Sequence, residues 1–215
     1  MTDFTDARRR MIDSQLRPTD VVRQDLLNAM LMVERERFVP EGHADYAYLD
    51  REVPLSGSRS LMAPSPFARL VQLSGLGAGD RVLVIGAGTG YSAAVLSSLC
   101  ASVVAVEEDA GLASAARANL AGLGNVKVVE GTLTAGAAGD GPFDVILVEG
   151  AVETDLALLQ PQLADGGRIV AVEGRGQAGT AVVGLRDGAV VAMRRSFNAA
   201  VPPVPGFGPS EGFAF

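Results

Sequence analysis

The sequence predicts a doubly wound α/β fold, built on a mostly parallel seven-stranded sheet with N-terminal helices and a C-terminal β-hairpin. Three observations predict it. From residue 81 onward, apolar runs of four to six residues alternate with helical stretches, the pattern of strands buried on both faces of a parallel sheet. The first run ends in Gly86-Ala87-Gly88-Thr89-Gly90, a glycine turn that opens a helix. Near the C-terminus two strand-like runs flank Asp187-Gly188, a favoured two-residue hairpin turn.

The elements follow in order. Over residues 5–32, Met11, Leu16, Val22, Leu26, Leu27, Met30 and Met32 recur at approximately helical spacing, and Pro18 divides the stretch into two helices. Arg8, Arg9 and Arg10 read as a solvated helix face. Residues 33–65 are non-periodic and punctuated by Pro40, Gly42, Pro54, Gly57 and Pro64; so long an irregular stretch either lies over a site or is disordered. Strands are predicted at 81–85, 102–106, 126–129, 143–148 and 168–172, with helices at 90–99, 110–123 and 153–163. The hairpin takes 180–185 and 189–195. The Pro-, Gly- and Phe-rich tail, 201–215, is expected to dock on its own chain rather than on a second subunit. The division is thus an N-terminal helical cover and loop (1–66), a core (67–200) and a tail (201–215), forming one compact domain.

Composition narrows the function. The 18 Lys+Arg against 25 Asp+Glu give a formal charge of −7, a field that repels nucleic acid and anionic lipid. Cys100, the single cysteine, lies in an apolar run and reads as a buried, inert thiol. One histidine, His43, leaves no material for a histidine-based relay or a multi-histidine zinc site; a surface or packing role suits it. The first 30 residues lack a signal-peptide apolar stretch, and no apolar run reaches the length of a membrane span. The expectation is a soluble, cytoplasmic protein that binds neither nucleic acid nor membrane, with its oligomeric state undetermined.

The glycine turn carries the chemistry. Glycines let the backbone turn sharply and approach a ligand, while the following helix offers free N–H groups and a positive dipole end. Gly86, Ala87, Gly88, Thr89, Gly90 and Tyr91 are therefore candidate residues for a nucleoside cofactor. A dinucleotide fingerprint wants glycine or alanine at residue 91, where this chain has Tyr91, so a nicotinamide-dependent oxidoreductase is the more distant reading. S-adenosylmethionine, which lacks a pyrophosphate, fits better. Glu107 follows Gly86 by 21 residues at the end of the second strand, placed to accept ribose hydroxyls. Glu108 and Asp109 suit the start of the next helix, with Glu108 also close enough to join the pocket. Glu149, ending the fourth strand, lines the same crevice, whereas Asp144 at its beginning reads as structural.

The order of Glu34-Arg35-Glu36-Arg37-Phe38-Val39-Pro40, Ala47-Tyr48-Leu49-Asp50, Pro54-Leu55, Ala63-Pro64, the glycine turn with Ala93-Ala94-Val95-Leu96, Pro142-Phe143-Asp144 and Gly166-Gly167-Arg168 resembles the protein-L-isoaspartate O-methyltransferase family. The resemblance covers roughly residues 10–175. It implies a Rossmann-like methyltransferase fold and S-adenosylmethionine as cofactor. The implied activity is methylation of isoaspartyl carboxylates in damaged proteins, a protein-repair step, with a protein or peptide carrying isoaspartate as partner.

Three positions depart from the family pattern. Its substrate loop reads T-I-S-A-P-H, and the aligned residues are Ser60-Leu61-Met62-Ala63-Pro64-Ser65, so Met62 stands where a hydroxyl is expected. After the third strand G-D-G becomes Gly131-Thr132-Leu133, leaving Gly131 and Thr132 as the candidates near the adenine. Val84 replaces the acidic residue before the glycine turn. Ser58, Ser60 and Ser65 are the hydroxyls left in the loop, and Ser60 is the candidate catalytic residue. The competing reading is a family member that binds S-adenosylmethionine but serves another acceptor or a regulatory role.

Overall fold

The computed structural model describes residues 3–153, 156–174 and 178–208. Seven strands form one sheet: β3 (Arg81–Ile85), β4 (Ser102–Glu107), β5 (Val126–Glu130), β6 (Phe143–Val152), β7 (Leu163–Glu173), β8 (Thr180–Asp187) and β9 (Val190–Asn198), in spatial order β5-β4-β3-β6-β7-β8-β9. β3 to β7 pair in parallel, and β8 and β9 add antiparallel. This is the doubly wound, mostly parallel sheet expected, with Asp187-Gly188 at the hairpin. Alternation on β3 shows why the strands are apolar throughout. Val82 and Val84 enter one core layer and Leu83 and Ile85 the other, so both faces are covered.

One layer is built by α1 (Phe4–Met11), α2 (Gln24–Met32), α3 (Pro64–Ser74) and α4 (Tyr91–Leu96). The break between the first two is wider than Pro18 alone requires. Residues 12–16 widen into a π turn, 17–19 tighten into a 3-10 turn, and Asp20 takes a left-handed conformation. Val22 and Met32 fit the apolar period yet are exposed. Arg8 also departs from expectation: it turns inward, donating to Tyr48 Oη at 2.9 Å and the Leu31 carbonyl at 2.9 Å, while Arg9 and Arg10 stay exposed. Helix α4 stops at Leu96, where the Ser97 and Ser98 hydroxyls bond back to the Ala94 and Val95 carbonyls. Helix α5 (Ala110–Leu120) starts at Asp109, whose side chain accepts from Leu112 N–H at 2.9 Å.

The irregular stretch contains a short hairpin, β1 (Val53–Ser56) and β2 (Arg59–Leu61), turning at Gly57-Ser58. Helix α3 then begins with Pro64, and Asp50 Oδ1 accepts its Ser65 N–H at 2.9 Å. The predicted helix over 153–163 is replaced: Leu156–Leu158 and Gln160–Gln162 are 3-10 turns, with Pro161 denying the backbone one donor, and 154–155 lie outside the described residues. Asp144 is structural, accepting from Arg81 N–H at 2.8 Å. Cys100 is buried, and burial pushes its thiol up to about 12. The tail docks on its own chain over 201–208: Val201, Val204 and Phe207 are buried, Ala151 N–H donates to the Pro202 carbonyl, and Val204 N–H to the Ala151 carbonyl. Residues 209–215 lie outside the described residues. Among the described residues no helix is long and apolar enough to cross a membrane.

Candidate active site

The sheet reverses direction of travel at β3, because β4 and β5 lie to one side and β6 to the other. The carboxyl ends of β3, β4 and β6 therefore frame the crevice in which such sheets bind ligands. The glycine turn fills the end of β3. Gly86 and Ala87 N–H both donate to the Val106 carbonyl, at 2.9 and 3.1 Å, which folds the turn back onto β4. Gly86 has φ 79°, and Gly90, at φ 96°, caps α4; a Cβ on Gly90 would stand 2.7 Å from Leu120. The turn thus needs glycine for both conformation and packing.

Glu107 ends β4 beneath this turn and is fully buried. Its Oε2 accepts Gly88 N–H at 2.7 Å, and its Oε1 accepts the N–H groups of Glu108 and Asp109 at 3.0 and 3.1 Å. The fourth partner comes from elsewhere in the chain. Arg59 on β2 donates through Nη2 to Glu107 Oε2 at 3.1 Å and to the Gly86 carbonyl at 2.6 Å. Period-2 alternation on β2 sends Arg59 and Leu61 to one face and Ser60 to the other, so the candidate hydroxyl faces away from Glu107.

The remaining candidates scatter around this pair. Ala87 is buried in the turn, and Thr89 spends its hydroxyl on the Phe38 carbonyl at 2.6 Å. Tyr91 turns its ring into the helical cover, with centroids 5.6 Å from both Phe38 and Phe67, so its side chain is a packing element. Glu108 is exposed and accepts Leu133 N–H at 3.3 Å, bracing the loop after β5; Gly131 N–H donates to the Glu107 carbonyl at 3.0 Å, and Thr132 stands exposed beside it. His43 stacks edge-on with Tyr46, centroids 6.2 Å apart.

The sequence profile of the protein-L-isoaspartate(D-aspartate) O-methyltransferase family matches residues 7–203. This chain belongs to that family. A Koribacter versatilis protein-L-isoaspartate O-methyltransferase is 41% identical over 172 residues, 79% of this chain and 78% of that one. Protein-L-isoaspartate O-methyltransferase 1 of Rhodopseudomonas palustris is 37% identical over 215 residues, 99% of this chain and 87% of the relative. Among solved structures, a protein-L-isoaspartate O-methyltransferase superposes with TM-score 0.81 at 26% identity, over 94% of this chain and 67% of that one. A Plasmodium falciparum protein described as such an enzyme, solved with S-adenosyl-L-homocysteine, shares the fold at TM-score 0.74 and 18% identity, covering 94% and 98% of the two chains.

In this family member the segment aligned with the substrate loop is held by an arginine that the sequence reading passed over. Arg35, fully buried in a 3-10 turn (Arg35–Phe38), donates through Nε to the Ala47 carbonyl at 2.7 Å and through Nη2 to the Met62 carbonyl at 2.6 Å. Its guanidinium lies 4.5 Å from the centroid of Tyr91, and Nη1 has no hydrogen-bond partner among the described residues. Burial pulls its pKa below the ordinary arginine value, opposed by Tyr91 and by Glu149. Met62 itself is buried and apolar. In the sequence Arg35 enters only as part of the family-like segment 34–40, with no role of its own; the turn that tucks it inward gives it one.

Glu149 occupies a bulge. Between the pairs Leu147↔Val170 and Ala151↔Val172, β6 advances four residues while β7 advances two, and the surplus holds Glu149 and Gly150. The pair Ile85↔Val148 sets Glu149 next to Gly86 across the sheet. Its Oε1 is sealed from solvent without a hydrogen-bond partner among the described residues, as are Ser92 Oγ, Arg59 Nε and Tyr91 Oη. Burial pushes the Glu149 carboxyl up to about 7, against the lowering influence of Ser92, Arg59 and Arg35, while Glu107 adds to the rise.

Proposed function

We propose that this chain methylates the carboxylate of isoaspartyl residues in proteins, using S-adenosylmethionine, as a cytoplasmic repair enzyme. The observation that carries this reading is Glu107, a buried carboxylate at the end of β4 under a glycine turn, closed by a side chain from the hairpin that leads into the substrate loop. The residues fit the cofactor. The turn offers close backbone approach, and the Arg59 Nη2 donor on Glu107 stands in for the hydroxyl donors a ribose would bring. Gly86, Ala87, Gly88 and Gly90 would shape the methionine and nucleoside cleft, with Glu107 on the ribose and Gly131 and Thr132 at the adenine. When bound, S-adenosylmethionine would supply an electrophilic methyl group on sulfur, leaving a methyl ester on the acceptor and S-adenosylhomocysteine.

The chain's own residues do the rest. Attack by an anion on a cation destroys two charges, so alignment in a dry pocket supplies much of the catalysis and no base is required. Leu55, 3.0 Å from where a Cβ on Gly88 would stand, excludes water from the turn. Arg35 and Asp50 fix the ends of the substrate loop through the Met62 carbonyl and the Ser65 N–H. Arg59 must leave Glu107 for the ribose to take its place. The formal charge of −7 agrees with protein rather than nucleic acid as partner.

A second reading, transfer to a different acceptor, is favoured by Met62 and by Ser60 facing away from Arg59. Labelled methyl transfer to an isoaspartyl peptide, with the aspartyl isomer as control, separates them. Label on the isoaspartyl peptide alone is expected. Intact cofactor binding with no label on that peptide would establish the second reading, and recovery in Met62→Ser would locate the difference in the loop.

A further inference from the structure

Among the described residues, Glu149 is the acidic side chain at the crevice that the chemistry above leaves without a task. It stands on the β6 bulge beside Gly86, where the glycine turn, Glu107 and the Arg59 hairpin converge. Neither cation near it is committed to it. Arg59 is engaged by Glu107 and the Gly86 carbonyl, and Arg35 by the Ala47 and Met62 carbonyls. The Ser92 hydroxyl lies near enough to lower the Glu149 pKa against burial, yet Ser92 Oγ and Glu149 Oε1 are both without a hydrogen-bond partner among the described residues; an ionised carboxylate so placed is strongly disfavoured, whereas a neutral carboxyl carries an O–H that Ser92 or a bound acceptor could take. The loop opposite is short of that kind of group, because Met62 has no donor where the family has a hydroxyl.

We propose that Glu149 is an acceptor-binding residue: in its protonated form it donates a hydrogen bond to the isoaspartyl carboxylate and so replaces the donor that Met62 lacks. This rests on the acceptor being an isoaspartyl carboxylate. The O–H serves the acceptor oxygen that does not attack the methyl group, and no proton changes hands, so Glu149 is neutral before and after transfer. Ionised, Glu149 would set two carboxylates side by side and expel the acceptor. The charged and titratable groups facing it are Arg59 from β2, Arg35 from the 3-10 turn, Glu107 from β4 and Tyr91 from α4. Burial already holds Glu149 at about 7, and an acceptor carboxylate raises it further, so acceptor binding above neutral pH takes up a proton.

The test is a calorimetric titration of an isoaspartyl peptide into protein saturated with S-adenosylhomocysteine, between pH 6 and 8.5, in buffers of different ionisation enthalpy. The wild type should take up about one proton per peptide at pH 8 and almost none at pH 6, its affinity falling about tenfold per pH unit above 7. Glu149→Gln keeps a donor that does not titrate, so it should bind without proton uptake and with a flat pH profile. Glu149→Leu keeps the bulk without the donor and should bind about ten- to a hundredfold more weakly at pH 6. Equal uptake in the wild type and Glu149→Gln, no uptake in the wild type, or affinity rising with pH each overturns the proposal. A wild type that binds S-adenosylhomocysteine but no isoaspartyl peptide at any pH fails the isoaspartyl reading itself, a distinguishable result.

Discussion

Arg59 Nη2 stands 3.1 Å from Glu107 Oε2 and 2.6 Å from the Gly86 carbonyl, joining the hairpin that leads into the substrate loop to the strand end proposed to hold the cofactor. The two side chains are almost wholly removed from solvent, at 8% and 0% relative exposure. A buried pair of this kind is weak evidence for stability as such, but removing one partner strands the other charge. On the proposed ribose assignment, cofactor and Arg59 compete for one carboxylate, which would tie loop position to cofactor occupancy.

Arg59→Ala should therefore lower the stability of the free protein by about 3 kcal/mol, the lower part of the range for breaking a buried pair, because three backbone N–H groups still bond Glu107. S-adenosylhomocysteine should restore more melting temperature to this variant than to the wild type, since no arginine has to be displaced. Melting curves with and without ligand read both effects. Equal ligand shifts in the two proteins would show that Arg59 does not compete.

Glu107→Ala should weaken cofactor binding by about one to two orders of magnitude, the loss expected for charge-assisted bonds in a buried site. Glu107→Gln keeps the volume and one acceptor and should fall between the two. Titration calorimetry with S-adenosylhomocysteine measures all three, and unchanged affinity in both variants would refute the ribose assignment.

Glu149 should make stability depend on pH with a definite sign. Its carboxyl sits at about 7 in the folded protein against an ordinary 4.5, so between those values the folded state binds more protons than the unfolded one. Stability contributed by this group is complete below 4.5, is lost as pH rises to 7, and changes no further above it. Glu149→Gln should thus be more stable than the wild type at pH 8, by at most about 3 kcal/mol, with the gap closing towards pH 5. Denaturant midpoints at four pH values decide it; a gap that widens on acidification would contradict the assignment.

Gly150 tests the seat of that carboxyl. It has φ 144°, and a Cβ there would stand 2.6 Å from Val204 Cγ2 and 2.7 Å from the Pro202 carbonyl oxygen. Gly150→Ala should cost about 2–4 kcal/mol through strain and overpacking together. Gly188→Ala, at φ 58° with nothing within 4 Å, carries strain alone and should cost about 1 kcal/mol. Equal losses by chemical denaturation would mean that the tail does not press on the bulge.

The local code of this chain determined the parallel sheet, the glycine turn and the acid at the end of β4. Runs such as Val82-Leu83-Val84-Ile85 bury both faces whatever else the chain does, and a glycine at φ 79° followed by a helix is a short-range event. The family segments were legible for the same reason, as residues near one another in sequence. Tertiary structure decided the rest. Pairing of Glu107 with Arg59 spans 48 residues, and whether Arg59 or Ser60 faces the crevice depends on hairpin register, since one step along a strand reverses the face. Arg35 had no role of its own in the sequence until a 3-10 turn buried it against the Met62 carbonyl, and Tyr91 left the crevice for the company of Phe38 and Phe67. Glu149 was visible as a strand-end acid. Its sealed oxygen and raised pKa come from a two-residue bulge and a returning tail, because desolvation is set by everything that packs around a group and not by the group's neighbours in sequence.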